Sequence, residues 1–414
     1  MDRRDFLKTT VTFAALAPLA SLADAVAKAS GAAAAKAAMT RRPLGKSGVM
    51  LPLLGFGGMR LPRRKGSPEI DVGEVRRMVA RAFEGGCNYF DTAFMYHGGR
   101  SERCFGEVLR DYPRDSYFLA DKMPVWMAKS ADDVRRIFEE QLSRCRTEYF
   151  DCYLIHSLDA GKWRRAKEFK VYEFLSEMKK QGKIRHLGFS FHDSPEVLQE
   201  IAAERQWDFA QIQLNYLDWE LYRSREQYEI LTKAGIPVIV MEPLRGGALA
   251  NLSPEATAVL KNAAPDASNA SWAFRYAGSL PNVVCILSGM TRMEHLEENL
   301  RTFSPLVPLT DPERATLDLA LAAYRKQLAV PCTSCRYCMP CPVGVEIPKI
   351  FAFYNQYKLT NRAGRFRDQY NSLPEGSRAD ACVACGACAK VCPQKIHIPE
   401  ELAKIARLPV LKSR

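Results

Sequence analysis

The first set of side chains that could carry chemistry combines a carboxylate, a phenol, an amine and an imidazole. Asp91, Lys122 and His156 each end a short apolar run, and Tyr96 follows the first run. A phenol with a pKa of about 10 is a weak acid near neutral pH, but a neighbouring ammonium lowers that pKa and a carboxylate holds the ammonium in place. A neutral imidazole can orient a carbonyl oxygen. The set therefore predicts Tyr96 as proton donor to a carbonyl group that receives hydride on carbon.

Each of these residues alone also has a structural explanation. Asp91 could cap a helix and Tyr96 could lie on a loop surface, while Lys122 and His156 could be an ion pair and a packed histidine. The three apolar runs are consecutive, however, and the carboxyl ends of consecutive parallel strands meet at one edge of a barrel. We therefore expect the four side chains to converge.

The second set consists of cysteines near the carboxyl end. Eight of the 13 cysteines form two groups, Cys332, Cys335, Cys338 and Cys341, then Cys382, Cys385, Cys388 and Cys392. The second group has the full C-x2-C-x2-C-x3-C-P spacing of bacterial ferredoxins, and the first has one residue fewer before its last cysteine. In two-cluster ferredoxins the fourth ligand of each cluster comes from the other group. The spacing predicts two 4Fe–4S clusters, with Cys392 completing the first ligand set and Cys341 the second.

Two other uses of these cysteines remain open from the sequence. Zinc ribbons also use C-x2-C pairs, whereas disulfides form awkwardly among four cysteines within about ten residues. Between the two groups, Ile347–Lys358 and Arg362–Tyr370 have helical patterns, so we expect a small, mainly α-helical ferredoxin-like domain. The other cysteines are expected to pack in the core: Cys87, Cys104, Cys145, Cys152 and Cys285.

The elements that must position the first set form a repeating pattern. Eight apolar runs are separated by amphipathic stretches such as Val72–Glu84 and Ala131–Arg144. This alternation predicts an α/β fold, a (β/α)8 TIM barrel. A doubly wound sheet is the alternative, but Gly55–Gly58 lacks the G-x-G-x-x-G spacing of that fold. The runs are Leu53–Phe56, Tyr89–Asp91, Tyr117–Lys122, Phe150–His156, Ile184–Ser190, Phe209–Gln213, Pro237–Met241 and Val283–Leu287.

Residues 42–327 resemble the aldo-keto reductase family. The segments that carry the likeness are Gly85-Gly-Cys-Asn-Tyr-Phe-Asp-Thr-Ala, Tyr96 with Ser101-Glu102, Lys183-Ile-Arg-His-Leu-Gly-Phe-Ser190, and Leu287-Ser-Gly-Met with Leu296-Glu-Glu-Asn299. The resemblance implies Tyr96 as general acid, Lys122 and Asp91 as the pair that tunes it, and His156 as the residue that orients substrate. It also implies a nicotinamide cofactor, usually NADP, bound without a Rossmann fold.

The resemblance places candidate cofactor contacts along the same strand ends. Ser190 and Gln211 match the positions that hold the nicotinamide amide, and Met241 stands where an aromatic ring often covers the nicotinamide. Gly289 replaces a common lysine, and Arg292 is the main nearby cation for a 2′-phosphate, so NADP is favoured over NAD only on that ground. The full set is Ser190, Gln211, Met241, Pro243, Leu244, Gly289, Arg292, Glu298 and Asn299.

Barrel and tail together resemble a subgroup of bacterial aldo-keto reductases with carboxyl-terminal 4Fe–4S domains. The implied activity is hydride transfer between a nicotinamide and an aldehyde, ketone or sugar. Because a nicotinamide passes two electrons and a cluster one, the clusters are expected either to be structural or to serve an external electron carrier. The alternative is a non-catalytic redox-sensing or electron-transfer module. Aromatic residues that could line the substrate pocket are Trp126, Trp163, Tyr216 and Trp219.

The amino terminus predicts export of the folded chain. Met1-Asp-Arg-Arg-Asp-Phe-Leu-Lys8 looks like a twin-arginine signal, and a mild apolar stretch and an Ala-rich spacer follow it. We expect a periplasmic protein with the organisation 1–40 signal and spacer, 41–328 barrel and 329–414 ferredoxin-type domain. A non-functional signal would leave it in the cytoplasm.

Composition limits the other classes of function. The 414 residues carry a net charge of +12, and residues 331–414 hold 13 Lys+Arg against 6 Asp+Glu. These cations would offset the negative charge of thiolate-bound clusters, and no basic-aromatic motif for nucleic acid accompanies them. There is no uncharged apolar run of about 18 residues, so an integral membrane protein is not expected.

Overall fold

The computed structural model describes residues 38–326, 329–360 and 362–412. The expected export signal lies outside the described residues apart from the end of its spacer. In the described ranges, no helix has both the length and the apolar character needed to cross a membrane.

A short antiparallel hairpin precedes a closed barrel of parallel strands. The hairpin consists of β1 (Arg41–Pro43) and β2 (Met50–Pro52). The barrel order is β10-β3-β4-β5-β6-β7-β8-β9, with all neighbours parallel, so the predicted TIM barrel is confirmed. The barrel strands are β3 (Leu54–Gly57), β4 (Tyr89–Asp91), β5 (Phe118–Met123), β6 (Phe150–Leu158), β7 (Ile184–Phe191), β8 (Phe209–Gln213), β9 (Val238–Met241) and β10 (Val283–Ser288).

Helices follow the strands and cover the barrel. Several helices begin at capping residues. The Ser130 hydroxyl accepts a hydrogen bond from the Asp133 N–H, and Thr310 and Glu313 form a capping box. They are α1 (Val72–Glu84), α2 (Arg100–Val108), α3 (Ala131–Cys145), α4 (Ala160–Glu168), α5 (Val171–Lys180), α6 (Pro195–Glu204), α7 (Asp218–Leu221), α8 (Ser224–Lys233), α9 (Pro254–Ala263), α10 (Asn269–Gly278), α11 (Met293–Phe303) and α12 (Asp311–Arg325).

The hairpin closes the amino-terminal end of the barrel, a feature that the sequence did not predict. Leu44 and Leu51 are buried and pack with residues of the barrel interior. The Arg42 guanidinium donates hydrogen bonds to the carbonyl oxygens of Leu280 at 2.7 Å and Val283 at 2.6 Å, at the start of β10. With this end plugged, the loops at the carboxyl ends of the strands are left to form a site.

The carboxyl-terminal region has its own hydrophobic core and is largely helical, as expected. Ile350, Phe351, Phe366, Leu402 and Ile405 are buried together in this core. The predicted helices Ile347–Lys358 and Arg362–Tyr370 correspond to the first two of its elements. The helices are α13 (Ile347–Thr360), α14 (Ala363–Asn371), α15 (Ala387–Lys390), α16 (Ile398–Ala406) and α17 (Pro409–Lys412).

Candidate active site

A buried ion pair joins the carboxyl ends of two neighbouring barrel strands. Asp91 ends β4 and Lys122 lies near the end of β5; the Lys122 ammonium donates hydrogen bonds to Asp91 Oδ1 and to the Thr92 carbonyl oxygen, both at 2.6 Å. Lys122 is 0% exposed and Asp91 2%. Burial raises the pKa of the Asp91 carboxyl, and the ammonium opposes this shift. Each charge therefore depends on the other for compensation.

Tyr96 lies beside this pair on the turn that follows β4. The turn, Tyr96–Gly99, is kinked rather than regularly helical: Gly98 and Gly99 have φ of 66° and 82°, the left-handed region that favours glycine. Lys122 Nζ lies 5.1 Å from the centre of the Tyr96 ring. The His156 ring stands edge-on at 6.1 Å from the Tyr96 ring. The four predicted catalytic side chains thus meet in one place.

The pKa of Tyr96 is raised well above 10 in this structure, chiefly by burial, with Tyr337 and Asp91 adding to the shift. The expectation that Lys122 lowers this pKa is wrong here. The physical reason is that desolvation of the phenolate outweighs an ammonium that is already paired with Asp91. Part of the Tyr96 surface remains open to the cavity, and its phenol stays protonated at neutral pH, ready to donate.

His156 is neutral at the same pH. Burial lowers its pKa well below 6.5, and the charge of Lys122 adds to the shift. Its Nε2 lies 3.2 Å from the Tyr337 hydroxyl, while within the described ranges its buried Nδ1 has no hydrogen-bond partner. The imidazole can therefore accept or donate one hydrogen bond without carrying charge.

A cavity of about 350 Å³ extends from Tyr96 along the strand ends and contains much of the predicted cofactor set. Gln211 is 2% exposed, and its Oε1 has no partner among the described residues. Its Nε2 lies 3.6 Å from Met241 Sδ. An unpaired amide oxygen beside a thioether suits a flat carboxamide-bearing ring. The predicted contacts that line this cavity are Gln211, Met241, Pro243, Leu244 and Gly289.

The other predicted cofactor contacts lie around this cavity with protein partners. Ser190 Oγ accepts a hydrogen bond from the Ser157 N–H at 2.6 Å. Asn299 donates to Ser288 Oγ at 3.0 Å, and Ser288 in turn lines the cavity. The Arg292 side chain lies 3.0 Å from the His295 imidazole on the exposed side. Glu298 accepts a hydrogen bond from the Ser268 hydroxyl.

Sequence reasoning missed the residues that the carboxyl-terminal domain contributes to the site. Thr333, Cys335, Tyr337, Pro393 and Gln394 line the same cavity as Tyr96. All of them belong to the two cysteine segments. The only sequence signal was their nearness to cysteines, which says nothing about the barrel. The domain therefore covers the barrel mouth.

Of the four aromatic residues expected to line the pocket, one lies beside the catalytic group. The Trp126 ring is 5.1 Å from the His156 ring. Trp163 is 1% exposed and packs in the core. Tyr216 and Trp219 pack at 6.0 Å and 5.9 Å from the Tyr276 ring. The last three therefore pack against other parts of the barrel domain.

The fold of the tail brings cysteines from both of its segments to one pocket. Four of them line one small pocket together with apolar side chains such as Ile347 and Phe351: Cys332, Cys335, Cys338 and Cys392. In the second group, burial raises the pKa of the Cys388 thiol, and the nearby Cys382 and Cys385 add to the shift. Cys341 packs against the hydrophobic core of the tail. In the ranges that the structure describes, no three His, Cys, Asp or Glu side chains are close enough to hold a single metal ion.

A second, wider cleft of about 1080 Å³ opens from Tyr96 to solvent between the barrel and the tail. Its charged lining residues are mostly basic: Arg60, Arg63, Arg100, Arg336 and Lys349, against one carboxylate, Glu346. Arg100 also pairs with Glu69 outside the lining, at 3.2 Å. Glu346 lies 3.7 Å from Arg336 and 3.5 Å from Lys349, so two cations share it. The cleft therefore has an excess of positive charge.

Comparison with known proteins agrees with this architecture. A profile of the aldo/keto reductase family matches residues 53–322, and a profile of a 4Fe-4S dicluster domain matches residues 331–397. The chain is 25% identical over 288 residues to L-galactose dehydrogenase of Arabidopsis thaliana, covering 65% of this chain and 89% of that protein. It is 26% identical over 291 residues to methylglyoxal reductase YeaE of Escherichia coli (strain K12), covering 68% and 95%.

A solved structure of an aldo-keto reductase also resembles this chain. A thermostable aldo-keto reductase in complex with the inhibitor epalrestat aligns with a TM-score of 0.56 and 26% identity, covering 68% of this chain and all (100%) of that one. The 4Fe-4S profile matches residues beyond the end of the reductase profile. A 4Fe–4S domain is thus joined to a reductase-like barrel.

The ion pair predicts a large difference between two Met substitutions. Lys122→Met leaves Asp91 buried without its cation and is expected to destabilise the fold by about 3 kcal/mol, seen calorimetrically as a thermal midpoint several degrees lower. Arg136→Met is the control, because Arg136 is 62% exposed and pairs with Asp133 on the surface of one helix, where such pairs contribute about 0–1 kcal/mol. Equal shifts in the two variants would contradict a structural role for the buried pair.

Proposed function

Since the chain belongs to the aldo/keto reductase family, we propose that it transfers a hydride between a nicotinamide cofactor and a small carbonyl or alcohol substrate. One observation carries the proposal: Tyr96 and Asp91 line a cavity whose other walls include Gln211 and Met241. His156 packs beside Tyr96, and Lys122 pairs with Asp91. A proton donor, a neutral orienting group and a buried cation are the parts that carbonyl reduction requires.

A bound nicotinamide supplies the hydride in reduction and accepts it in oxidation. The chain's own residues handle the proton and the charge. In reduction the Tyr96 hydroxyl gives its proton to the substrate oxygen, and the phenolate left behind faces the Lys122 ammonium. Asp91 keeps that ammonium charged and in place. In oxidation the same phenolate takes the proton back.

The cavity supplies the groups that would hold the cofactor. The Gln211 amide offers an unpaired oxygen for the carboxamide, and Met241 offers a polarizable face for the ring. Pro243, Leu244 and Gly289 continue the wall away from Tyr96. Arg292, next to this wall, favours NADP over NAD because a 2′-phosphate requires a cation.

The charge of the wide cleft points to the class of carbonyl compound. Arg60 and Arg63 line the wide cleft together with Tyr96. Clefts lined by one sign of charge concentrate substrates of the opposite sign. We therefore propose that the preferred carbonyl substrate carries a negative group such as a carboxylate or phosphate, on a sugar or a smaller aldehyde or ketone.

The tail is proposed to hold two 4Fe–4S clusters. The first would use Cys332, Cys335, Cys338 and Cys392, the four that share a pocket; the second would use Cys341, Cys382, Cys385 and Cys388. Because Cys335 of the first set lines the cavity of Tyr96, the first cluster would lie next to the substrate site. We also propose that these clusters exchange single electrons with an external carrier.

We also propose export by the twin-arginine route, on the Arg3-Arg4 pair and the apolar stretch after it. That route moves folded proteins with cofactors inserted, which reconciles export with cysteines that must not form disulfides. A periplasmic enzyme has no NADPH pool, so the nicotinamide is expected to be carried through export bound to the folded chain.

The catalytic role of Tyr96 predicts the largest loss of rate. Tyr96→Phe should lower kcat for reduction about 1000-fold, since a positioned proton donor contributes about 10²- to 10⁴-fold. The assay follows NADPH oxidation with glyoxylate, methylglyoxal, L-galactose and 4-nitrobenzaldehyde, and the anionic glyoxylate is expected to be preferred to neutral methylglyoxal. Tyr112→Phe is the control, because Tyr112 stacks on Phe83 away from the site. Equal, near-zero rates in wild type and Tyr96→Phe would favour the non-catalytic redox module.

Iron analysis tests the two-cluster assignment. Anaerobically purified protein should contain about eight iron atoms per chain, four per cubane. Cys385→Ser should lower the content to about half, whereas Cys104→Ala, in the barrel core, should leave it unchanged. Stoichiometric zinc in place of iron would contradict the assignment.

Cell fractionation tests export. In a bacterial host with a twin-arginine translocase, the wild-type chain should be recovered from the periplasm with NADP released on denaturation. The Arg3→Lys, Arg4→Lys double variant should remain in the cytoplasm. The same distribution for both chains would exclude the route.

A further inference from the structure

Tyr337 of the first cysteine segment reaches into the catalytic site. Its hydroxyl lies 3.2 Å from His156 Nε2, and its ring stands edge-on to the His156 ring at 6.4 Å and to the His192 ring at 6.5 Å. Tyr337 lines both the 350 Å³ cavity and the wide cleft, as Tyr96 does. His156 is thus hydrogen-bonded to a residue of the carboxyl-terminal domain.

Contacts of Thr333, four residues before Tyr337, hold this segment against the barrel. The Arg60 guanidinium donates a hydrogen bond to the Thr333 carbonyl oxygen at 3.0 Å. The same carbonyl packs so closely on Gly246 that a Cβ there would lie 2.1 Å from it. Thr333 itself is buried. The segment is therefore fitted to the barrel mouth by backbone contacts.

A second contact fixes the other cysteine segment to the same mouth. Gln213, at the end of β8, and Gln394 exchange two amide hydrogen bonds, at 3.0 Å and 2.7 Å. Arg245 also donates to Gln394 at 3.3 Å. Gln394 follows Cys392 by two residues, so both halves of the first cysteine set are anchored to the barrel beside Tyr337.

The hydrogen-bonding capacity of a hydroxyl decides what Tyr337 can do there. A phenol oxygen can accept a hydrogen bond while its proton donates another. With neutral His156 donating from Nε2–H, the Tyr337 oxygen accepts and its own O–H is free to point at a substrate oxygen next to Tyr96. The bond from the imidazole polarises this hydroxyl and strengthens its donation.

We propose that Tyr337, supplied by the iron–sulfur domain, donates the hydrogen bond that orients the substrate oxygen, and that His156 acts through it. This inference rests on the proposed function, because it concerns the same carbonyl oxygen. The transferred proton still comes from Tyr96, and Tyr337 keeps its own proton throughout. Tyr337 is then a catalytic residue and His156 a positioning residue.

The first experiment removes one hydroxyl from each of two tyrosines in the same domain. Tyr337→Phe is expected to lower kcat/KM on glyoxylate on the order of 100-fold, the loss typical of one oxyanion donor, with most of the effect in kcat. Iron content, the visible spectrum and NADPH affinity by fluorescence titration should stay at wild-type values. Tyr357→Phe is the matched control, since Tyr357 stacks on Phe366 in the tail core, and should equal wild type.

A double-mutant cycle separates this arrangement from direct action by His156. If His156 acts through Tyr337, adding His156→Gln to Tyr337→Phe should change kcat/KM by less than about threefold, because coupled groups are non-additive. Losses that multiply would overturn the proposal, as would wild-type activity in Tyr337→Phe. If Tyr96→Phe is fully active, the proposed function fails; if Tyr96→Phe is inactive and Tyr337→Phe is normal, only this inference fails.

A measurement on the wild-type protein covers the case in which Tyr337→Phe loses its iron. Tyr337 lies between Cys335 and Cys338 in the chain, so a substrate oxygen bound to its hydroxyl should alter the EPR spectrum of the reduced protein. Saturating glyoxylate is expected to shift the signal, and the Tyr357→Phe protein should respond equally. An unchanged spectrum at saturation would overturn the proposal.

Discussion

The ion pair between Lys122 and Asp91 is the interaction on which the site depends. An ammonium that is 0% exposed can remain in a barrel only with a carboxylate at hydrogen-bond distance, here 2.6 Å. The closed parallel sheet makes this possible because β4 and β5 are neighbours and end on the same side. The pair then provides a fixed positive charge that a phenolate at Tyr96 would face.

A second constraint is the fit of the cysteine segments to the barrel mouth. The carbonyl of Thr333 packs on Gly246, and the amides of Gln213 and Gln394 bond to each other. These contacts leave Tyr337 at His156 and place Cys335 of the first cysteine set in the cavity wall. A domain that could have been an independent electron carrier is instead part of the wall of the site. Cluster assembly and the geometry of the reaction site are thereby linked through one short segment of chain.

The sequence was sufficient to predict the barrel and the candidate catalytic residues at the ends of its strands. Strand and helix limits agree to within about two residues where hydrophobic periodicity is strong, and Asp91, Lys122 and His156 were recognised because they end such runs. Ferredoxin spacing predicts that Cys392 joins the first cysteine set, and Cys392 does line one pocket with Cys332, Cys335 and Cys338. By contrast, the β1–β2 hairpin has strands too short for periodicity, and the pKa of Tyr96 depends on burial that no spacing encodes. The position of Tyr337 depends on how two domains dock, which rests on surface complementarity between distant segments.

Isotope transfer tests the central claim, hydride reduction at a site built around Tyr96, most directly. With NADPH deuterated at the transferring C4 position, the alcohol formed from glyoxylate should carry one deuterium on the former carbonyl carbon, and the rate should show a primary isotope effect. Product without deuterium at that carbon, formed at the same rate from labelled and unlabelled cofactor, would contradict the account.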